Sequence, residues 1–292
     1  MENKQLPFEF DLLLSYPVIG RLQPVIVLEK AIKDLGEIND DNYEKFRYLQ
    51  LELIVKKCEL LSDIAGYINA TRKFSPNKDN VKLGESFLQV YKSLVSNNGI
   101  PEFYKHIDDK NDQFFYEIMG YDILSLLPNS RNLVSEEELN KSVNVVRSIF
   151  KDMAKFQDVY WEIYNAYKHG YRLFVNKAKC ELVECHGEIS GNLDLLKMDS
   201  ITYVKGTEIK VISFSRDQAA YRSSPFYVFQ GITNAFNARL INAFFGFYDY
   251  DLSSINRPSI RVFERVGQYR EIGLSFDFQS DEIKFKREFK FT

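Results

Sequence analysis

The sequence is poor in residues that break or cross-link a chain, with 14 glycines, eight prolines and three cysteines among 292 residues. Scarce glycine and proline argue against a fibrous or low-complexity chain. Three cysteines supply no disulfide framework and are typical of a reducing compartment. No apolar run approaches the roughly 18 residues of a membrane-spanning helix, and no basic segment leads into an apolar stretch near the start. These absences predict a soluble, cytoplasmic protein without a membrane partner.

A strong charge of either sign is also missing, since 38 lysines and arginines face 41 aspartates and glutamates. The net charge of −3 excludes a whole-surface electrostatic attraction to nucleic acid but leaves room for a local basic patch. What the chain does have is aromatic residues, with 24 phenylalanines and 18 tyrosines. A 45% hydrophobic and 27% charged composition is typical of a globular protein, so we expect an aromatic-rich core.

Helical periodicity dominates the first 170 residues. We expect a helix from Leu22 to Leu35 that starts near Pro24, because proline disfavours the interior of a helix. A long helix is predicted within residues 36–75, with Asn39 and its two aspartate neighbours as candidate N-caps. Residues 83–97 and 110–127 show two further amphipathic patterns.

The strongest helical pattern covers residues 135–170. Ser135 and Glu138 form a capping box, in which each side chain satisfies a free amide of the first turn. Apolar residues then recur in steps of about three and four, which predicts one stripe facing other helices. Gly170 stands where a left-handed residue ends a helix. The stripe comprises Leu139, Val143, Val146, Phe150, Met153, Tyr160, Tyr164 and Tyr167.

Beyond Gly170 the pattern changes to short alternating segments, which indicates strands. The segments are Tyr171–Val175, Cys180–Cys185, Ile201–Val204, Glu208–Phe214, Ser259–Glu264, Gly273–Phe278 and Ile283–Phe291, with one helix at residues 225–247. The predicted class is α+β. Residues 1–170 are expected to form an antiparallel helical bundle, and residues 171–292 a mainly antiparallel, strand-rich part with one long helix.

Four polar residues near the end of the longest predicted helix fall opposite its tyrosine stripe, because each helical residue advances about 100°. They are Asp158, Glu162, Asn165 and His169. A solvated polar face is one explanation. The other is a site in which His169 moves a proton near neutral pH, Asn165 orients it or binds a ligand, and Lys168 meets a phosphate.

The pattern Tyr164-Asn165-x-x-Lys168-His169-Gly170, at the end of a bundle's last helix, resembles the terminal-helix motif of the HEPN superfamily. The resemblance covers about residues 40–170. It implies a homodimeric bundle, linked to bacterial defence or toxin systems, that cleaves or binds RNA or nucleotides without a metal or other cofactor. By this resemblance His169 is the candidate general base and Asn165 the preceding polar residue. From the residues themselves we expect Lys168 to stabilise the phosphorane charge and Glu162 to act as an orienting residue.

The chain departs from the family pattern at one position. The family pattern has an arginine separated from the histidine by four to six intervening residues, and here those arginine positions hold Glu162, Ile163 and Tyr164. Arg72 or Arg172 would have to substitute for it. The sequence therefore leaves two functions open. One is an RNA-cleaving or RNA-binding protein, and the other is a non-enzymatic dimeric module that binds a protein partner or ligand through residues 171–292.

Two further clusters have simpler explanations. Cys180, Cys185 and His186 offer three metal ligands, but adjacent residues of a strand point to opposite faces, so we expect ordinary cysteines and no metal. The last predicted strand carries Lys284, Lys286, Arg287 and Lys290. This basic pattern suits either a nucleic-acid surface or an edge strand protected by lysines, and we favour the edge strand.

Overall fold

The computed structural model describes residues 18–39, 41–73, 99–125, 134–168, 224–245, 259–277 and 282–290, with short strands at 173–174, 180–181, 192–193, 200–205 and 208–213. Its helices, in chain order, are α1 (Val18–Asp34), α2 (Tyr43–Lys73), α3 (Gly99–Lys105), α4 (Asp112–Ile118), α5 (Tyr121–Ser125), α6 (Glu136–Lys168) and α7 (Ser224–Phe245). The strands are β1 (Leu173–Phe174), β2 (Cys180–Glu181), β3 (Asn192–Leu193), β4 (Ser200–Lys205), β5 (Glu208–Ser213), β6 (Ser259–Arg265), β7 (Gln268–Asp277) and β8 (Glu282–Lys290).

All described strand pairs are antiparallel, and they form sheets in the orders β1-β4-β5, β2-β3 and β6-β7-β8. Helices together with antiparallel sheets confirm the α+β class. The strand β8 pairs with β7 and stands at the end of its sheet within the described residues, as expected of an edge strand. Ser259 pairs with Gly273 and Phe263 with Tyr269, which sets the register of the β6–β7 hairpin.

The helix α2 is buried on almost every side. Between Leu51 and Ile68 the partly exposed positions are Glu52, Lys56, Glu59 and Ser62, which form one narrow stripe. A helix surrounded in this way belongs to a core. The structure confirms a long helix in this region, which begins at Tyr43, directly after an exchange of hydrogen bonds between Asn39 and Asn42.

Two predictions about helix ends were wrong. The helix α1 begins at Val18 and continues through Pro24 rather than starting beside it. Proline removes only one backbone donor, and Pro24 lies within the first two turns. The pattern at 110–127 is not one helix, since α4 and α5 are separated at Gly120, whose φ is +75°. A Cβ at Gly120 would stand 2.6 Å from the Cβ of Ala235, so both the backbone and the space require glycine.

The chain divides into two compact units that interleave in sequence. The first contains Leu61–Lys155 and Arg222–Thr292 with Met1–Gly20, and the second contains Arg21–Leu60 and Phe156–Tyr221. The helices α2 and α6 each supply residues to both units. The sequence predicts one boundary near residue 170, which lies outside the described residues, and a division there stays a prediction. The pattern at 83–97 also lies outside them.

The core of the first unit joins helices to the β6–β7 hairpin. The ring of Tyr67 meets those of Phe229 and Phe236 edge to face, with centroids 5.7 Å apart in both pairs. The hydroxyl of Tyr121 donates to the carbonyl of Arg261 at 2.9 Å and lies 2.5 Å from the hydroxyl of Ser142. Residues far apart in sequence therefore complete this core together.

Across the described part of the chain, no helix has the length and apolar character needed to cross a bilayer.

Candidate functional site at the end of the longest helix

The candidate site lies at the end of α6, and the start of that helix is firmly capped. Ser135 donates its backbone amide to Glu138 Oε2 at 2.8 Å, and its hydroxyl accepts from the amide of Glu138 at 3.2 Å. This confirms the predicted capping box. The hydrogen bond from Ser135 and the nearby Arg270 lower the pKa of Glu138, although burial opposes them. The rest of the helix therefore starts from a defined position.

The predicted stripe of α6 is buried as far as Tyr164. Tyr160 and Tyr164 are almost fully buried, whereas Tyr167 retains 39% of its exposure. The expectation that Tyr167 belongs to the buried stripe was therefore wrong. Its hydroxyl instead donates to Glu52 Oε1 of α2 at 2.7 Å. That hydrogen bond to a carboxylate, aided by burial, raises the pKa of Tyr167.

Two aromatic side chains lie near the last turn of α6. The rings of Trp161 and Tyr164 lie 5.1 Å apart, and Lys168 Nζ lies 5.3 Å from the centre of the Tyr164 ring. An ammonium over a tyrosine face gains a modest electrostatic attraction. Lys168 itself is exposed, so its charge remains open to a ligand from solvent.

The structure describes three of the four predicted site residues. Glu162 and Asn165 are half-buried, and Lys168 is exposed on the final turn. Asp158, on the same predicted polar face, is exposed. His169 lies outside the described residues, so its position and its catalytic role stay predictions. The three described residues lie within two turns of one another on a single helix, and the helix alone brings them together.

A buried lysine of the same unit was not among the predicted site residues. Lys57 of α2 is 1% exposed, and its Nζ lies 3.1 Å from Glu29 Oε1 of α1. Burial lowers the pKa of Lys57 to about 8, while the attraction of Glu29 opposes the shift. Lys57 stands four residues after Leu53 and three before Leu60, both buried, and this helical spacing was the signal available in the sequence.

Two other groups of α2 lie in the same interior. Gln50 is 1% exposed, and neither atom of its amide has a hydrogen-bond partner within the described residues. Cys58 is fully buried, with its Sγ 4.0 Å from the carbonyl oxygen of Tyr160, and burial raises the pKa of the thiol. A thiol held protonated in this way is not a nucleophile. The interior of this unit therefore contains buried polar groups, but Cys58 is not an activated thiol.

Of the two arginines that are candidates to replace the missing one, the structure describes Arg72. The guanidinium of Arg72 lies 3.7 Å from Glu117 Oε2 and 4.8 Å from the centre of the Phe114 ring. It is thus engaged within the first unit. Arg172, the other candidate, lies outside the described residues. His106, a second histidine, is exposed on the segment after α3, with its Nδ1 2.8 Å from Asp109 Oδ2.

Within the described ranges, no three or more histidine, cysteine, aspartate or glutamate side chains are grouped to hold a metal ion. Cys185 and His186 lie outside those ranges, so the prediction about them is untested.

Comparisons with protein-family models, curated proteins and solved structures find no match to this chain.

Proposed function

We propose that the chain is a HEPN-like protein that cleaves or binds RNA at the end of α6, within a bacterial defence or toxin context. The observation that carries the proposal is the end of α6, where exposed Lys168 and half-buried Asn165 and Glu162 directly precede His169. A histidine can act as the general base and a lysine can offset phosphoryl charge, and metal-independent RNA cleavage uses groups of these two kinds.

The proposed chemistry is an internal displacement. His169 accepts the proton of a ribose 2′-hydroxyl, the oxygen attacks the adjacent phosphorus, and the bond to the 5′-oxygen breaks. The leaving oxygen takes a proton from solvent, and the product carries a cyclic phosphate. Lys168 offsets the charge that develops on the phosphoryl oxygens, and Asn165 orients the imidazole.

The aromatic residues beside the site suit a single-stranded substrate. Trp161 and Tyr167 are both partly exposed within two turns of Lys168. Exposed rings stack on bases with little regard for sequence, at about 1–3 kcal/mol per base. We therefore propose unpaired RNA rather than a duplex as the substrate.

Apolar side chains on the surface of the second unit support the proposed homodimer. Five large hydrophobic residues there are exposed by more than a third of their area. They come from three helices of one unit: Ile26, Val27, Tyr48, Val159 and Tyr167. The proposed homodimer would cover such side chains, and dimerisation would supply the second copy of His169 that a composite site needs.

The test is RNA degradation by purified wild-type protein in EDTA, beside the variants His169→Ala and Lys168→Ala. We expect metal-independent cleavage that His169→Ala abolishes and Lys168→Ala lowers about tenfold or more. His106→Ala is the matched control, because it removes an exposed histidine from the segment after α3. Light scattering of each variant reports the oligomeric state.

The result separates the two functions that the sequence leaves open. Cleavage that survives His169→Ala would overturn the site. No cleavage by any folded variant would favour the non-enzymatic dimeric module, which binds a protein partner or ligand through residues 171–292. A monomer at working concentration would overturn the dimer.

A further inference from the structure

The last turn of α6 extends beyond the buried part of that helix. Tyr164 and Ala166 are each 6% exposed, whereas Tyr167 and Lys168, the last two residues of α6, are exposed. The last four carbonyl groups of a helix have no partner within the helix, so terminal turns open easily. Burial therefore holds α6 as far as Ala166, and a fixed position for the two residues after it requires another contact.

The hydroxyl of Tyr167 makes such a contact with α2. It donates to Glu52 Oε1 at 2.7 Å, and a hydrogen bond to a carboxylate is roughly twice as strong as one between neutral groups. The two residues are 115 positions apart in the chain and belong to the same compact unit. This hydrogen bond, called the anchor below, therefore ties the end of α6 to a different helix.

The anchor continues an interface that is already packed. Cys58 Sγ of α2 lies 4.0 Å from the carbonyl oxygen of Tyr160 on α6. Glu52 stands six residues before Cys58, and Tyr167 stands seven residues after Tyr160. The two helices therefore run antiparallel, and the anchor lies about two turns further along the same pair.

The α2 side of the anchor is rigid. Glu52 is partly exposed, but its neighbours Leu51, Leu53 and Ile54 are 6%, 2% and 1% exposed. The main chain that carries the carboxylate is thus part of a core. A group that is held by a packed element positions its partner more precisely than a group on a loop.

The donor of the anchor keeps its proton. The hydrogen bond to Glu52, aided by burial, raises the pKa of Tyr167, and an ordinary tyrosine already titrates only near pH 10. An imidazole changes charge between about pH 5 and 8. The anchor therefore remains formed throughout the range in which a histidine acts as a base.

We propose that Glu52 is a positioning residue of the candidate site, which fixes the last turn of α6 by holding Tyr167. Lys168 is the next residue of the chain and His169 the one after it. Misplacing a reacting group by about 1 Å can lower a rate about a hundredfold. The role of Glu52 in a reaction rests on the proposed function, whereas the fixing of the last turn does not. Glu52 itself contacts neither the ribose nor the phosphate in the proposed reaction.

Hydrogen–deuterium exchange of the full chain without RNA tests the anchor. Tyr167→Phe removes the donor but keeps the ring, and Glu52→Ala removes the acceptor. We expect the backbone amides of residues 165–168 to exchange about threefold faster or more in both variants. The double variant should be no faster than either single one, because both remove the same bond.

Two further variants serve as controls for exchange. Glu52→Gln keeps a carbonyl acceptor and should restore most of the protection. Glu59→Ala removes another carboxylate from the same partly exposed stripe of α2 and should leave exchange at residues 165–168 unchanged. Equal exchange in wild type and Tyr167→Phe, or equal acceleration by Glu59→Ala, would overturn the anchor.

RNA cleavage separates the positioning role from the proposed function. We expect Tyr167→Phe and Glu52→Ala to lower kcat about threefold or more, with KM changed by less than about twofold and with the same pH midpoint. Glu52→Gln should recover most of the rate. An unchanged kcat in variants whose last turn exchanges faster would overturn the positioning role. Absence of cleavage by the wild type would overturn the proposed function and the role of Glu52 in it, and exchange would still decide whether the anchor fixes the last turn.

Discussion

Arg261 in the first unit and Lys57 in the second are both buried cations, and the protein surrounds them differently. Arg261 donates from Nε to Glu271 Oε1 at 2.6 Å, from Nη1 to the carbonyl of Tyr227 at 3.1 Å and from Nη2 to Gln230 Oε1 at 2.7 Å. Its guanidinium also lies 4.3 Å from the centre of the Tyr269 ring. The contacts of Lys57 include the partly exposed carboxylate of Glu29 and, 5.9 Å away, the Phe156 ring.

The difference follows from the shape of the two groups. A guanidinium presents a planar fork of five donors that several acceptors and a ring face can share, whereas an ammonium is a compact charge that loses hydration when buried. Arg261 therefore organises the contact between α7 and the β6–β7 hairpin. Lys57 remains a destabilised charge with a lowered pKa.

The largest effect is expected from Arg261→Met. The substitution leaves the carboxylate of Glu271 and the amide of Gln230 without their donors, so the free energy of unfolding should fall by about 3–5 kcal/mol. Urea unfolding measures it. Arg265→Met, on the same strand but exposed, should change the free energy by less than about 0.5 kcal/mol. Similar losses in the two variants would remove the special role of Arg261.

The next effect concerns the partner of the buried lysine. Glu29→Gln deprives the ammonium of its carboxylate and should lower the free energy of unfolding by about 1–3 kcal/mol at pH 7. The control is Glu59→Gln, which breaks the partly exposed pair with Lys56 on the same helix and should cost below about 1 kcal/mol. Equally small losses of unfolding free energy in the two variants would show that the Lys57–Glu29 pair does not stabilise the fold.

A smaller effect appears in the pH dependence of stability. The pKa of Lys57 is about 8 in the folded chain against 10.5 for an ordinary lysine. Between these values the unfolded chain binds more protons, so the free energy of unfolding should rise with pH, by about 1 kcal/mol from pH 8 to pH 9. Above pH 9 Cys58, whose pKa is raised, acts in the opposite direction. The wild-type curve minus that of Lys57→Met isolates the lysine, and a flat difference would contradict the lowered pKa.

The smallest effect is expected from Lys57→Met itself. Replacing a desolvated ammonium by an apolar side chain of similar length is often neutral or stabilising, and Glu29 can turn toward water because it is 29% exposed. We expect a change within about 1 kcal/mol at pH 7, measured by thermal and urea unfolding. A loss as large as that of Arg261→Met would mean that the two cations are equivalent after all.

Local patterns predicted local structure well. The capping box of Ser135 and Glu138 and the stripe from Leu139 to Tyr164 are confirmed, because both depend on residues within one helix. The helix predicted at 225–247 is α7, with Pro225 in its first turn. The strand segments at Glu208–Phe214 and Ser259–Glu264 correspond to β5 and β6 for the same reason.

Features that depend on distant residues could not be predicted. Gly120 ends α4 because Ala235 and Ile260 occupy the space beside it, and neither is a neighbour in sequence. The burial of Lys57 depends on Glu29 and Phe156, which belong to two other helices. For the candidate site, the pattern identified Glu162, Asn165 and Lys168 but not the Tyr167–Glu52 contact beside them.

The Tyr121 hydroxyl and its acceptor on Arg261 are 140 residues apart, and this has a consequence for the chain as it leaves the ribosome. When α5 and α6 emerge, the carbonyl that will accept the Tyr121 proton has not yet been translated. Until the β6–β7 hairpin has been translated, the Tyr121 hydroxyl lacks its acceptor and the apolar faces around it remain exposed. Nascent chains stalled before residue 261 should be protease-sensitive in this unit and suitable substrates for chaperones.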